Sequence, residues 1–211
     1  MTILPATNVP LAVHTRREKI DLTEGIVLLF RFFATVVLCL TLVSSASAAP
    51  PDLSRLRVDT TKVDNARALI LTCDLIVSGN AGRQVQSVPT RVTLRQGKVV
   101  NYVQTFHVQR TWKGTSAPVI KVLRTGIEPL PDARDPLNLI YPGPLSEGEF
   151  LLFLKKVQGT DLYQVVGVWQ GVYPVQSGRT IALQGSGFPQ LNGLTLDQVA
   201  DQIKSLQSFA R

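Results

Sequence analysis

Gly148-Glu149-Phe150-Leu151-Leu152-Phe153-Leu154 sets five consecutive large apolar side chains behind a glycine and a carboxylate. Successive side chains of a strand point to opposite faces, so an unbroken apolar run of this length predicts a strand buried on both sides. Such a strand needs a packing layer on each face. Around it Val, Ile, Thr, Phe and Tyr recur in short segments interrupted by Gly and Pro, which predicts a mostly β chain.

Upstream, Val99 to Trp112 follows the turn Arg95-Gln96-Gly97-Lys98 and pairs with Val85 to Leu94, a segment broken at Pro89; together they read as a hairpin with a longer loop. The two-residue period places Tyr102, Gln104, Phe106, Val108 and Arg110 on one face, with Phe106 and Val108 marking the core side, and turns His107 outward. Further back, Ala68 to Val77 reads as a helix turn passing into a strand at Leu75-Ile76-Val77, ended by Ser78-Gly79-Asn80-Ala81-Gly82.

Downstream of Trp112, Lys113-Gly114-Thr115-Ser116 makes a turn and Pro118 to Leu123 a strand. Thr125 to Gly148 carries five prolines and reads as a long loop, the natural place for a binding surface. After the apolar strand, Tyr163 to Trp169, Val172 to Val175 and Thr180 to Leu183 suggest a meander. Thr195-Leu196-Asp197-Gln198 is a capping-box pattern, and Leu196, Val199, Ile203 and Leu206 repeat at helical spacing, which predicts an amphipathic helix over 196–208.

The N-terminal region has a different character. Arg31, the apolar run Phe32 to Val43 and the small residues Ser44-Ser45-Ala46-Ser47-Ala48 follow the order of a secretory signal peptide, with cleavage expected after Ala48 and an uncleaved anchor as the alternative. The expected organisation is a non-native or disordered extension over 1–26, a signal over 27–48, a flexible leading segment over 49–65 and one β domain over 66–211. Asp21 and Glu24 lie where a signal is ordinarily basic, which suggests a true start at Val27, Leu28 or Leu29. The chain carries 22 basic and 15 acidic residues, net +7; the targeting region holds four and three of them, so the mature part is basic too. The signal predicts export to a periplasm, an envelope or the medium, and argues against nucleic acid as partner.

In order along the chain stand Ala68 to Gly79, Phe106-x-Val108 followed by Lys113-Gly114, Gly148 to Leu154, and Gly167-x-x-x-Gly171-x-Tyr173. This set resembles poorly characterised bacterial exported proteins and the netrin-like domains of the tissue-inhibitor-of-metalloproteinases type. The resemblance covers about Ala68 to Leu183 and implies a mostly β, OB-like, partly open β-barrel carrying the C-terminal helix. The inhibitors reach a catalytic zinc through an N-terminal cysteine, whereas this chain has Ala49 at the expected mature terminus. Their inhibitory mechanism and functional residues therefore do not transfer.

After signal removal one cysteine, Cys73, and one histidine, His107, remain, which excludes an intramolecular disulfide and paired-histidine zinc sites. Gly185-Ser186-Gly187 does not form a nucleophile elbow, and the carboxylates are scattered. The expectation is a non-enzymatic exported module without cofactor or metal. It has no stable membrane span after cleavage and binds a protein or cell-envelope polymer through its loops. Trp112, Lys113, Tyr141, Trp169 and Tyr173 are the candidate contact residues. A secreted enzyme using His107 and a structural envelope component are the alternatives.

Overall fold

The structure is a computed structural model that describes residues 51–208; the extension, the signal and its cleavage site lie outside the described residues. Helix α1 (Ala66–Thr72) leads into β1 (Leu75–Leu94), β2 (Gly97–Lys113) and β3 (Val119–Glu128). A 3-10 turn (Pro136–Leu139) lies within the following loop. Then come β4 (Gly148–Lys156), β5 (Leu162–Val165), β6 (Val172–Gln176) and β7 (Arg179–Thr180), a second 3-10 turn (Pro189–Leu191) and helix α2 (Leu196–Ser208). Among the described residues no helix is long and apolar enough to cross a membrane.

The seven strands form one mixed sheet in the order β1-β2-β3-β5-β4-β6-β7, and β1 also pairs with β4. That extra pairing curls β1, β2, β3, β5 and β4 into a partly closed ring of five strands. All its pairings are antiparallel except β3 with β5. The parallel contact is short, joining Lys121, Val122 and Leu123 to Leu162, Tyr163 and Gln164. Beyond Leu123, β3 outruns β5, and the ring opens there.

The apolar run at 150–154 behaves as its sequence demands, with all five residues buried. Phe150, Leu152 and Leu154 pack in the ring interior with Leu75, Val77, Phe106, Ile120, Val122 and Val165. Leu151 and Phe153 face the other way, onto Leu69 and Ile70 of α1, Tyr173, and Val199 and Ile203 of α2. A residue buried on each face of β4 therefore contributes about 1.5–3 kcal/mol to one layer or the other.

Several boundaries differ from the sequence expectation. β1 does not stop at Ser78 to Gly82 and is not broken at Pro89; it continues to Leu94 through register shifts at Ser78/Gly79, Ala81/Val85 and Pro89/Thr93. Gly79 permits this, since a Cβ there would lie 1.9 Å from the His107 carbonyl oxygen. Pro89 is tolerated because β1 pairs with β4 only as far as Ala81, which leaves its later half an edge without need of the missing N–H. β3 runs on to Glu128, so the loop proper is 129–147. The meander is not formed either: β5 is short and joins β3, and β7 is only Arg179–Thr180.

The leading segment makes specific bonds in its described part. Asn101 Nδ2 donates to the carbonyls of Leu53 (2.8 Å) and Leu56 (2.9 Å), the Asp59 amide donates to Gln164 Oε1 (2.8 Å), and Gln170 bonds both backbone groups of Val63. Leu53, Leu56 and Val58 pack on Val103, Leu123 and Leu162 at the outer face of the ring.

Candidate functional site

The ring opening next to β3 is covered by two segments with no strand pairing of their own. One is residues 51–65; the other is the Pro-rich loop 129–147. The loop is held at several points. Gln104, buried on the inner face of β2, receives the Leu145 amide at Oε1 (2.8 Å) and donates Nε2 to the carbonyls of Leu145 (3.0 Å) and Gly82 (2.9 Å). Gly143 donates its amide to Thr125 O at 3.0 Å, bonding the edge of β3 that β5 leaves free. Gly126 makes the approach possible, because a Cβ there would come within 2.9 Å of the Gly143 Cα. Arg83 and Glu147 form an ion pair at the loop's end.

Between the leading segment, the 90–92 part of β1 and the loop lies a groove of about 680 Å³. Arg55, Arg57 and Arg91 give it three cationic side chains, Leu56, Val92 and Ile140 give it apolar surface, and Tyr141 stands at its wall. No Asp or Glu lines it. Asp52, next to the lining segment, pairs Arg55 at 2.9 Å. Bonds from Ser54, with Arg55 and Arg91 adding their fields, hold its carboxyl below the usual range. Of the eight large apolar side chains left exposed among the described residues, Leu130, Leu139 and Ile140 belong to this one loop. Apolar exposure concentrated beside a cationic groove is a property of contact surfaces.

Behind the groove floor sits Arg124. It follows Ile120 and Val122 at the two-residue period, so its side chain enters the ring interior rather than the solvent. It is 2% exposed, and Nε, Nη1 and Nη2 have no hydrogen-bond partner. The guanidinium lies over the Trp169 ring, whose centroid is 4.7 Å from Cζ. Trp169 is fixed in turn by donating Nε1 to the Asn138 carbonyl at 2.8 Å, which ties it to the loop. The turn that presents it carries Val168 at φ 62°, a left-handed conformation that costs a β-branched residue about 1–3 kcal/mol. Burial pushes the Arg124 guanidinium down to about 9, so it remains a cation at neutral pH.

No family model and no curated protein matches this chain.

The five candidate contact residues do not form one surface. Tyr141 lines the groove and Trp169 stands behind it over Arg124. Trp112 packs half-buried against the cluster beneath the helices. Lys113 donates Nζ to the carbonyls of Ile70 (2.7 Å), Leu71 (3.2 Å) and Cys73 (2.5 Å), satisfying the C-terminal end of α1. Tyr173 is fully buried, meets Phe153 edge-on at 5.6 Å and accepts the Phe188 amide at 3.0 Å; burial pushes its hydroxyl up to about 12. Lys113 and Tyr173 thus have structural work to do. His107 is exposed on the outer face of β2. Among the described residues, no three His, Cys, Asp or Glu side chains are grouped to hold a metal ion.

Sequence reasoning passed over Arg55, Arg57, Arg91 and Arg124. The first three come together only through folding. Arg124 did leave a signal, since it continues the apolar phase of Ile120 and Val122.

Proposed function

We propose that this chain is an exported, non-enzymatic binding module, and that its contact surface is the groove between the leading segment and the 129–147 loop. The occupant we favour is a protein segment carrying acidic and apolar side chains. The observation that carries this reading is the composition of the groove: three arginines, apolar side chains and Tyr141, with no carboxylate among its lining residues. Complementary charge speeds encounter and fixes register, while apolar contact supplies most of the free energy. Export rests on the signal-like order of Arg31 to Ala48.

We read the five-strand ring as an OB-like barrel of the netrin type. The support is the pairing order, in which β1 joins both β2 and β4 and a short parallel contact joins β3 to β5. OB-like barrels bind through their strand faces and adjoining loops, and that is where the groove lies.

The test is a fluorescence-anisotropy titration with a labelled Glu/Leu peptide, a Lys/Leu peptide of equal length and an anionic polysaccharide. Saturable binding of the Glu/Leu peptide, weakened tenfold or more when Arg55, Arg57 and Arg91 are all changed to Gln, is expected. Equal binding of the Lys/Leu peptide would refute it. Binding of the polysaccharide alone would move the assignment to an envelope polymer.

A further inference from the structure

The ring interior holds a cation, Arg124, that forms no ion pair with any of the described residues. Arg124 offers five N–H donors, and none of its three nitrogens has a hydrogen-bond partner although the residue is only 2% exposed. The Arg124 Cζ lies over the Trp169 ring at 4.7 Å, a contact that uses none of the N–H donors along the guanidinium edge, the direction in which it bonds a planar anion. Against Arg124 lies a void of about 10 Å³, walled in part by Val58, Thr125, Ile140, Pro142 and Val168. That is about the volume that holds one water molecule, too little for an organic anion. Three of its walls, Val58, Thr125 and Ile140, are also walls of the groove. Ile140 is half exposed, so its side chain has solvent to turn into.

We propose that Arg124 is the receptor for a carboxylate delivered by a ligand lying in the groove, and that Ile140 is the gate this carboxylate displaces. The inference deepens the reading of the groove as a binding site for acidic segments and rests on it. A carboxylate is the anion that matches the site: it is flat and small, and it accepts two parallel N–H bonds from a guanidinium edge. No covalent step is involved. The gain on binding comes from pairing a charge that the free protein already holds dehydrated, so the ligand bears the desolvation of one ion rather than two.

The test uses the full chain with Trp112→Phe, so that Trp169 is the sole tryptophan and can be excited selectively over tyrosine. Sodium acetate is the probe, with sodium chloride at matched ionic strength as control. The expected result is a saturable change in Trp169 emission with acetate and none with chloride. Ile140→Ala removes the gate and should tighten the acetate response about tenfold, because the open form is then the dominant one. A response seen only after Ile140→Ala also supports the proposal. Arg124→Met should abolish the response while circular dichroism and thermal stability stay at least at the parent level. An undiminished response in Arg124→Met, an equal response to chloride, or no response in Ile140→Ala would each overturn it. The groove reading fails separately: if Glu/Leu peptide does not bind while acetate still responds through Arg124, the groove is wrong and the carboxylate site stands. If the peptide binds equally well to Arg124→Met, the reverse holds.

Discussion

Replacing Arg124 by Met should make the protein more stable. The guanidinium falls well below its ordinary value, to about 9, because burial disfavours the charge and no bond compensates it. At 1.36 kcal/mol per pH unit this amounts to about 5 kcal/mol against the charged form at neutral pH, an upper bound. The variant also gives up the contact with Trp169, which in a desolvated setting is worth about 2 kcal/mol. Methionine keeps an unbranched chain of similar reach in a site lined by Leu123, Val165 and Val168, so little packing is lost. The balance is a gain of about 2–3 kcal/mol, within the range found when buried charges give way to apolar side chains. For a domain of this size that raises Tm by about 5–10 °C. Urea denaturation at pH 7 in a buffer free of carboxylates, with Tm from calorimetry, is the assay. A loss of more than about 1 kcal/mol would refute the reasoning, since it would mean that the guanidinium is satisfied inside the fold.

Other consequences concern single contacts. Burial raises the Cys73 thiol from 9.0 to about 11, so its contribution to stability is full below pH 9 and is lost as pH rises through 11; Cys73→Ala should remove that part of the pH slope, and thiol reagents should label the native protein slowly. Gly79→Ala forces a Cβ to within 1.9 Å of the His107 carbonyl oxygen and should cost more than about 3 kcal/mol in chemical denaturation, as expected for an overpacked backbone crossing. Thr195→Ala removes the hydroxyl that accepts the Gln198 amide at 3.3 Å and should lower stability by about 1 kcal/mol, whereas Thr195→Ser should be close to neutral.

What the sequence made legible was local. The capping box is formed as spaced: the Thr195 amide donates to Gln198 Oε1 at 2.9 Å, and the Gln198 amide bonds Thr195 Oγ1 in return. The hairpin, the passage from α1 into β1 and the two-faced burial of Phe150 to Leu154 follow from turn chemistry and periodicity. The hairpin nevertheless closes on the two residues Arg95-Gln96 rather than the longer loop expected, because Gly97 and Lys98 already pair with Leu94 and Thr93. Phe106 inward and His107 outward follow from the same period.

What was hidden depended on partners far along the chain. Ser78 to Gly82 has the composition of a turn, and only the close crossing of β2 explains glycine there within a strand. The parallel contact of β3 with β5 joins residues about forty positions apart and has no local signature. The groove draws its arginines from two separated segments, and its aromatic, Tyr141, was legible only because it lies in the Pro-rich loop. Aromatic residue type alone was a poor guide: Tyr173 packs the core, while Trp169 covers Arg124, whose three buried nitrogens have no hydrogen-bond partner.

The measurement that bears most directly on the binding site is amide hydrogen exchange of the protein with and without the Glu/Leu peptide. The account predicts added protection in the leading segment around Arg55 and Arg57, in β1 around Arg91, and in the loop from Asn138 to Gly143. Protection confined to the opposite end of the ring, around Trp112 and Lys113, would contradict it.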